Sequence, residues 1–148
     1  MPRLIVAEPA AAYLRRSPIV VDASILAAVL FSESGRGKAE ASMAGHALCA
    51  PSLIDFEIAN VALNKKRRRL IDADTLEGAI RDFTELDIER YPITAADLVA
   101  LAERYALSAY DASYLWLAAS LQVPLVTFDE RLGAAAKEHL AEGDRPGP

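Results

Sequence analysis

Four carboxylates occupy positions in the sequence where acids can do chemistry. Asp22 and Asp129 each follow a short apolar run typical of a strand, and Glu57 and Asp111 fall near the starts of predicted helices. Ligands of open parallel sheets bind beyond the carboxyl ends of the strands, so parallel strands would deliver Asp22 and Asp129 to one edge. Asp22 and Asp129 also have a structural explanation, because Asp is a favoured N-cap, and Asp111 holds the return position of a capping box begun by Ser108.

Helical periodicity separates Glu57 from the neighbouring acid Asp55. The pattern Ser52-Leu-Ile-Asp55 predicts a capping box, which gives Asp55 a structural role. Glu57 lies one position off the apolar stripe of the same helix, so we expect it to be half-buried without a structural partner. Glu57 is therefore the candidate functional acid of this segment.

Convergence of the four acids would require a counter-charge. Two carboxylates about 4 Å apart repel by roughly 4 kcal/mol at an effective dielectric constant of 20. Hard oxygen ligands without a companion thiol or histidine favour Mg²⁺ or Mn²⁺ over zinc, and neither His46 nor His139 has a ligand-like spacing. Such an ion lowers the pKa of a bound water and neutralises a phosphoryl oxygen, so the cluster predicts metal-dependent phosphodiester hydrolysis.

Alternating strands and helices are predicted to position these acids. Short apolar runs typical of buried parallel strands occur at residues 19–21, 47–50, 88–93 and 124–128. Amphipathic patterns between these runs predict helices, including one over residues 74–86. The alternation predicts an α/β domain with a central, mostly parallel sheet flanked by helices.

Several helix starts and the chain ends carry local signals. We expect Ser24 to cap the helix after the first strand, and capping boxes at Ser52, Thr94 and Ser108. A pattern interrupted by Pro9 weakly favours a helix over residues 4–16. Residues 142–148, rich in Gly, Pro and charge, are expected to fray.

Composition excludes several classes of protein. The 148 residues carry a net charge of −5, which argues against a protein that coats nucleic acid electrostatically. The single cysteine, Cys49, excludes an internal disulfide and a cysteine-based zinc site and favours a reducing compartment. No apolar run is long enough to span a membrane and no export signal is visible, so we expect a cytoplasmic protein that does not enter membranes.

A basic block follows Glu57 on the same predicted helix and comprises Lys65, Lys66, Arg67, Arg68 and Arg69. Cations at a helix C-terminus interact favourably with the macrodipole, so a solvated helix end explains the block without any ligand. The alternative is contact with phosphates, which would guide a nucleic-acid backbone toward the acids. The sequence leaves both interpretations open.

Four segments, in order, resemble the metal-binding segments of PIN-domain ribonucleases, specifically the VapC-like toxins of type II toxin–antitoxin pairs. The segments are residues 20–24, 52–60, 110–119 and 124–132, and the resemblance extends from residue 19 to about residue 140. By this resemblance the four candidate acids are the catalytic and metal-binding residues. Ser24, Asn60 and Thr127 are the polar groups that support them.

The resemblance implies a fold, an activity and partners. It implies a Mg²⁺- or Mn²⁺-dependent endoribonuclease with the PIN-like α/β fold, commonly a homodimer, which a cognate antitoxin protein neutralises. The PIN-like domain is expected over residues 19–141, preceded by an extension at 1–18 of unassigned role and followed by a tail at 142–148.

Two other classes of function are weighed against this one. A catalytically silent PIN-like module would keep the acids as helix caps and bind a partner protein, which the presence of all four acids disfavours. A haloacid-dehalogenase-like phosphatase needs a second acid two residues after Asp22, where Ser24 stands. A response-regulator receiver needs neighbouring acids before the strand-end acceptor, where Val20 and Val21 stand.

Overall fold

One five-stranded sheet forms the centre of the computed structural model, which describes residues 1–9 and 18–143. The strands are β1 (Ile5–Ala7), β2 (Ile19–Val21), β3 (Leu48–Pro51), β4 (Ile88–Tyr91) and β5 (Leu125–Thr127). Their order is β1-β5-β2-β3-β4, and only the β1–β5 pair is antiparallel among the described strands. The predicted α/β fold with a mostly parallel sheet is confirmed.

Helices connect the strands and cover the sheet. In the described part of the chain they are α1 (Ala23–Leu30), α2 (Arg36–Met43), α3 (Ile54–Arg67), α4 (Ala73–Glu85), α5 (Ala95–Tyr105), α6 (Ala109–Leu121) and α7 (Glu130–Glu142). None of the helices in the described ranges has both the length and the apolar character needed to cross a bilayer.

Two neighbouring inner strands, β2 and β5, bring the first and last candidate acids to the same end of the sheet. β2 and β5 are parallel neighbours with Val21 opposite Val126, so the residues that follow both strands emerge side by side. Every residue of both strands is buried, and α1, α6 and α7 pack against these strands. The crossing from β2 into α1 and from β5 into α7 therefore fixes the positions of Asp22 and Asp129.

The N-terminal segment forms a strand where a helix was weakly favoured. Ile5–Ala7 pairs antiparallel with β5, with Ile5 and Ala7 buried and Val6 exposed, so the helix prediction is wrong over these residues. Residues 10–17 lie outside the described part of the chain. Gly133 of α7 leaves room for Ile5, since a Cβ atom built there would lie 2.5 Å from the Ile5 side chain.

At the other end of the chain, α7 ends at Glu142, and residues 144–148 lie outside the residues that the structure describes.

The structure corrects several predicted helix caps. Asp22 is the N-cap of α1, which confirms the structural explanation of this acid and makes the expectation for Ser24 wrong; its carboxylate accepts a hydrogen bond from the Ile25 N–H. The capping box predicted at Ser52 does not form, because α3 starts at Ile54 without a side-chain cap. Asp55 instead makes a bidentate ion pair with Arg90 of β4 at 2.6 and 3.0 Å.

The other two capping boxes differ in outcome. Ser108 caps α6 by accepting from the Asp111 N–H at 3.1 Å, as predicted. Thr94 is the N-cap of α5 but its hydroxyl donates to the Asp97 carboxylate at 2.8 Å instead of accepting from a backbone N–H. Competition between side-chain and backbone partners decides such ends, and the sequence pattern alone does not resolve it.

Candidate active site

Asp22 lies at the centre of a hydrogen-bonded group where β2 and β5 end. Its Oδ1 accepts from the Ser24 hydroxyl at 2.6 Å and from the Ile25 N–H at 3.2 Å. Its Oδ2 accepts from the Thr127 hydroxyl at 2.5 Å. Only 5% of Asp22 is exposed, so the carboxylate is held in one orientation by neighbours from both strand ends.

Thr127 and Ser24 connect Asp22 to the segment that carries Asp129. The Thr127 hydroxyl oxygen accepts from the Asp129 N–H at 2.9 Å, and the Ser24 hydroxyl oxygen accepts from the Phe128 N–H at 3.0 Å. Each hydroxyl therefore donates to the buried carboxylate and accepts from the β5–α7 turn. Ser24 and Thr127 therefore hold the Asp22 carboxylate in a fixed orientation relative to this turn.

Burial raises the pKa of Asp22 to about 6, from 3.8. Desolvation is the main cause, and the negative charge of Asp111 adds to it. Hydrogen bonds from Ser24, Thr127 and the Ile25 N–H favour the ionised form and offset part of the increase. The site thus holds a carboxylate whose ionised form costs free energy unless a cation is nearby.

Glu57 occupies the first turn of α3 and faces the same region. Its Oε1 accepts a hydrogen bond from the Tyr114 hydroxyl of α6 at 2.6 Å. Partial burial raises the pKa of Glu57, the Tyr114 hydrogen bond lowers it and the charge of Asp111 raises it further. The expectation that Glu57 is half-buried is confirmed, but it does have a structural partner.

Tyr114 is a member of the site that the sequence analysis did not identify. Its ring is buried in the core, as expected of an aromatic residue on α6, and its hydroxyl reaches Glu57. Burial of the ring is the main cause that raises the pKa of Tyr114, and the charges of Glu57, Asp22 and Asp111 raise it further. A tyrosine at a core position is the available signal, because a buried phenol needs a hydrogen-bond partner.

The charge of Asp111 interacts with the charge of each of the other three acids. Burial is the main cause that raises the pKa of Asp111, and the charge of Asp129 raises it further. A hydrogen bond from Ser108 and the positive charge of Arg131 lower it. Its own charge raises the pKa values of Asp22 and Glu57. Asp129 is exposed, caps α7, and accepts from the Leu132 N–H at 2.8 Å. The fold therefore places Asp111 close enough to Asp22, Glu57 and Asp129 for their charges to interact with its own.

The donor set suits a divalent cation bound largely through water. Among the described residues no three His, Cys, Asp or Glu side chains are arranged to hold an ion by themselves. Mg²⁺ needs no such cage, since it is commonly bound by one or two carboxylates together with waters and substrate phosphates. Carboxyl groups whose pKa values are raised by burial and by like charge fit this ion, because a cation stabilises their ionised forms.

Two other predicted groups lie outside this cluster. Asn60 is exposed on α3 and makes no hydrogen bond to a site acid within the described residues. The Lys65 ammonium group lies 3.6 Å from the Glu33 carboxylate and over the Phe31 ring, so these two residues already engage it. The remaining members of the basic block are exposed at the end of α3 and the turn after it, namely Lys66, Arg67, Arg68 and Arg69.

This chain is similar to known proteins over most of its length. The family model of the PIN domain matches residues 19–138, which include all four acids. The chain belongs to the PIN-domain family. Strand β1 precedes the matched range, so it is an addition to the part of the chain that the family model describes.

Relatives place this PIN-domain chain in the VapC group. It is 38% identical to Ribonuclease VapC9 of Mycobacterium tuberculosis over 77% of this chain and 87% of the relative. It is 30% identical to Ribonuclease VapC3 of Pyrobaculum aerophilum, over 77% of this chain and 91% of that protein. The crystal structure of PAE2754 from Pyrobaculum aerophilum has the same fold, with a TM-score of 0.65 at 22% identity over 86% of this chain and 90% of that chain.

Proposed function

We propose that this chain is an endoribonuclease that hydrolyses RNA phosphodiester bonds with the help of Mg²⁺ or Mn²⁺. The observation that carries the proposal is that three carboxylates from three other parts of the fold, those of Asp22, Glu57 and Asp129, interact electrostatically with Asp111. Burying Asp22 beside another acid opposes folding. A bound cation that takes part in the reaction would stabilise the ionised carboxylates, and this gives the costly arrangement a function. The names of the VapC relatives support the choice of RNA as substrate.

Asp22, Glu57, Asp111 and Asp129 are the residues proposed to hold the metal, directly or through water. When bound, the ion lowers the pKa of a water and neutralises the phosphoryl oxygen. Ser24 and Thr127 fix the orientation of Asp22, and Tyr114 fixes that of Glu57.

Protonation of the site sets the pH range of the proposed activity. Asp22 must be ionised to act as a ligand, so activity should fall as the site protonates at lower pH. A carboxylate of the cluster is also the proposed acceptor for a proton from the attacking water.

The basic block is proposed to contact the RNA backbone. Lys66 and Arg67 are exposed in the last turn of α3, the helix that carries Glu57 in its first turn, and Arg68 and Arg69 are exposed in the turn that follows it. The chain is acidic overall, with a net charge of −5, so a local patch of cations is the part of the surface that attracts phosphates. Lys65 takes little part in this role because Glu33 and Phe31 already engage it.

Membership of the VapC group supports further proposals about partners. We infer a cytoplasmic toxin that acts as a homodimer and is neutralised by a cognate antitoxin protein. The PIN-like domain is proposed to comprise residues 19–141, with β1 as an N-terminal addition that completes one edge of the sheet.

The test uses purified protein freed of any bound partner and mixed cellular RNA with Mn²⁺ or Mg²⁺. EDTA and Asp22→Asn should each abolish cleavage, while the matched variant Asp82→Asn, which removes an exposed acid of α4, should cleave as the wild type does. Cleavage that persists in Asp22→Asn would refute the assigned site. Intact RNA in every sample, with the protein folded and partner-free, would favour a catalytically silent binding module.

A further inference from the structure

An open groove of about 560 Å³ runs along α3, and Glu57 is one of the residues that line it. Its lining combines apolar, amide and carboxylate side chains, including Leu53, Phe56, Glu57, Asn60, Asn64 and Tyr110. The groove is therefore continuous with the candidate active site, because Glu57 belongs to both.

Helical spacing explains why these side chains share one surface. Positions 53, 56, 57, 60 and 64 recur every three or four residues, so they form one stripe along α3 about 16 Å long. The opposite stripe, with Ile54, Ile58 and Ala62, is buried in the core. The same spacing continues into Arg67 and Arg68, which are exposed and make no ion pair within the described residues.

The groove offers the groups that bind nucleic-acid bases. Phe56 is 76% exposed and Tyr110 is 63% exposed, which leaves two aromatic rings open to a planar ligand. The side-chain amides of Asn60 and Asn64 each carry a donor and an acceptor, and neither amide forms a hydrogen bond within the described part of the chain. Single-stranded RNA is recognised by stacking on aromatic rings and by hydrogen bonds to the edges of its bases.

We propose that this groove is a base-recognition subsite for single-stranded RNA next to the bond that is cut. Phe56 and Tyr110 stack with the base, Asn60 and Asn64 contact its edge, and Arg67 and Arg68 neutralise the backbone beyond it. The inference rests on the proposed ribonuclease function and adds to it the residues that choose where the RNA is cut.

Charge favours RNA over a second copy of the chain as the occupant. An apolar protein face covering the groove would desolvate the Glu57 carboxylate and the two amides without giving them partners. A nucleotide brings hydrogen-bonding groups to the amides and a negative backbone to the cations at the end of the stripe. Self-association through Phe56 is nevertheless a measurable outcome of the test.

The test measures binding and cleavage separately. Affinity for a short, fluorescent single-stranded RNA is measured by anisotropy in EDTA, and cleavage positions are mapped by sequencing a randomised RNA incubated with Mn²⁺. Phe56→Ala should weaken binding about 5- to 150-fold and flatten the sequence preference around the cut. Phe56→Trp should retain both properties and Phe56→Leu should not, because stacking needs an aromatic ring. Val99→Ala, at an exposed position on α5, is the matched control.

Each outcome separates this inference from the proposed function. RNA binding that depends on Phe56, without cleavage, supports the groove and refutes the nuclease. Cleavage with unchanged affinity and sequence preference in Phe56→Ala supports the nuclease and refutes the groove. A change from dimer to monomer in Phe56→Ala by light scattering, with RNA binding intact, makes the face an interface between copies and overturns the inference. Wild-type protein that neither binds nor cuts RNA refutes both.

Discussion

Replacing Asp22 by Asn should stabilise the metal-free protein at neutral pH while it removes nuclease activity. Asp22 is 5% exposed, and burial raises its pKa to about 6 from 3.8. The unfolded chain ionises this group more readily than the folded chain does, so the charged carboxylate opposes folding. Asn has nearly the same shape and carries no charge.

The pKa values determine the size and the pH dependence of the effect. A pKa of about 6 in place of 3.8 corresponds, at about 1.4 kcal/mol per pH unit, to about 3 kcal/mol of lost stability. The folded state holds the proton more tightly, so this penalty is absent well below pH 3.8, grows as the pH rises and is complete above about pH 6.

Hydrogen bonding reduces the net gain from the substitution. The Asn carbonyl oxygen can still accept from Ser24 and Ile25, but the amide nitrogen cannot accept from Thr127. Losing that acceptor costs about 1 kcal/mol. The net stabilisation at about pH 8 is therefore about 2 kcal/mol, or about 4–8 °C in melting temperature. At about pH 4.5 the remaining penalty is about 1 kcal/mol, so the two effects cancel.

Thermal unfolding followed by circular dichroism in EDTA tests this reasoning. Wild type, Asp22→Asn and the exposed-site control Asp82→Asn are compared at about pH 8 and about pH 4.5. The control should melt with the wild type at each pH. Equal melting temperatures of wild type and Asp22→Asn at the higher pH, or a gain of the same size at the lower pH, would show that the charge of Asp22 does not oppose folding. Added Mn²⁺ should stabilise the wild type more than Asp22→Asn.

Three further predictions concern positioning, packing and RNA contact. Tyr114→Phe should cost about 1 kcal/mol of stability and weaken Mn²⁺ binding by calorimetry, because Glu57 loses its donor; unchanged affinity would contradict this. Gly133→Ala should cost about 1–3 kcal/mol in chemical denaturation by crowding Ile5, and much less in an Ile5→Ala background; an equal cost in both backgrounds would exclude the clash. Arg68→Gln should reduce the salt dependence of RNA binding by about 0.7 in log–log slope; an unchanged slope would remove Arg68 from the interface.

The part of the fold that carries the first and last acids could be predicted because its signals are local. Ile19–Val21 and Leu125–Thr127 are short and apolar, and each is followed by an Asp that caps the next helix. A buried parallel strand requires such a run, and alternation with helices dictates the layered architecture. The α/β prediction needed no information about distant contacts.

The N-terminal strand could not be predicted for the opposite reason. Ile5–Ala7 has three residues and becomes a strand only because β5 offers it an edge and Gly133 leaves room for Ile5. The capping box expected at Ser52 failed in a similar way, since Asp55 has a stronger partner in Arg90, 35 residues later. In both cases a tertiary contact overrode a local preference.

The sequence alone determined which acids are candidates, and the tertiary structure determined their hydrogen-bond partners, their burial and their pKa values. Position after a strand, helical periodicity and the resemblance to PIN-domain ribonucleases together select Asp22, Glu57, Asp111 and Asp129 from the other acids of the sequence. The hydrogen bond between Thr127 and Asp22 spans 105 positions of the sequence, and the one between Tyr114 and Glu57 spans 57 positions. No local sequence pattern contains either pair. Burial and mutual repulsion, which raise the pKa values of these carboxyl groups, arise only when the chain has folded and removed them from water.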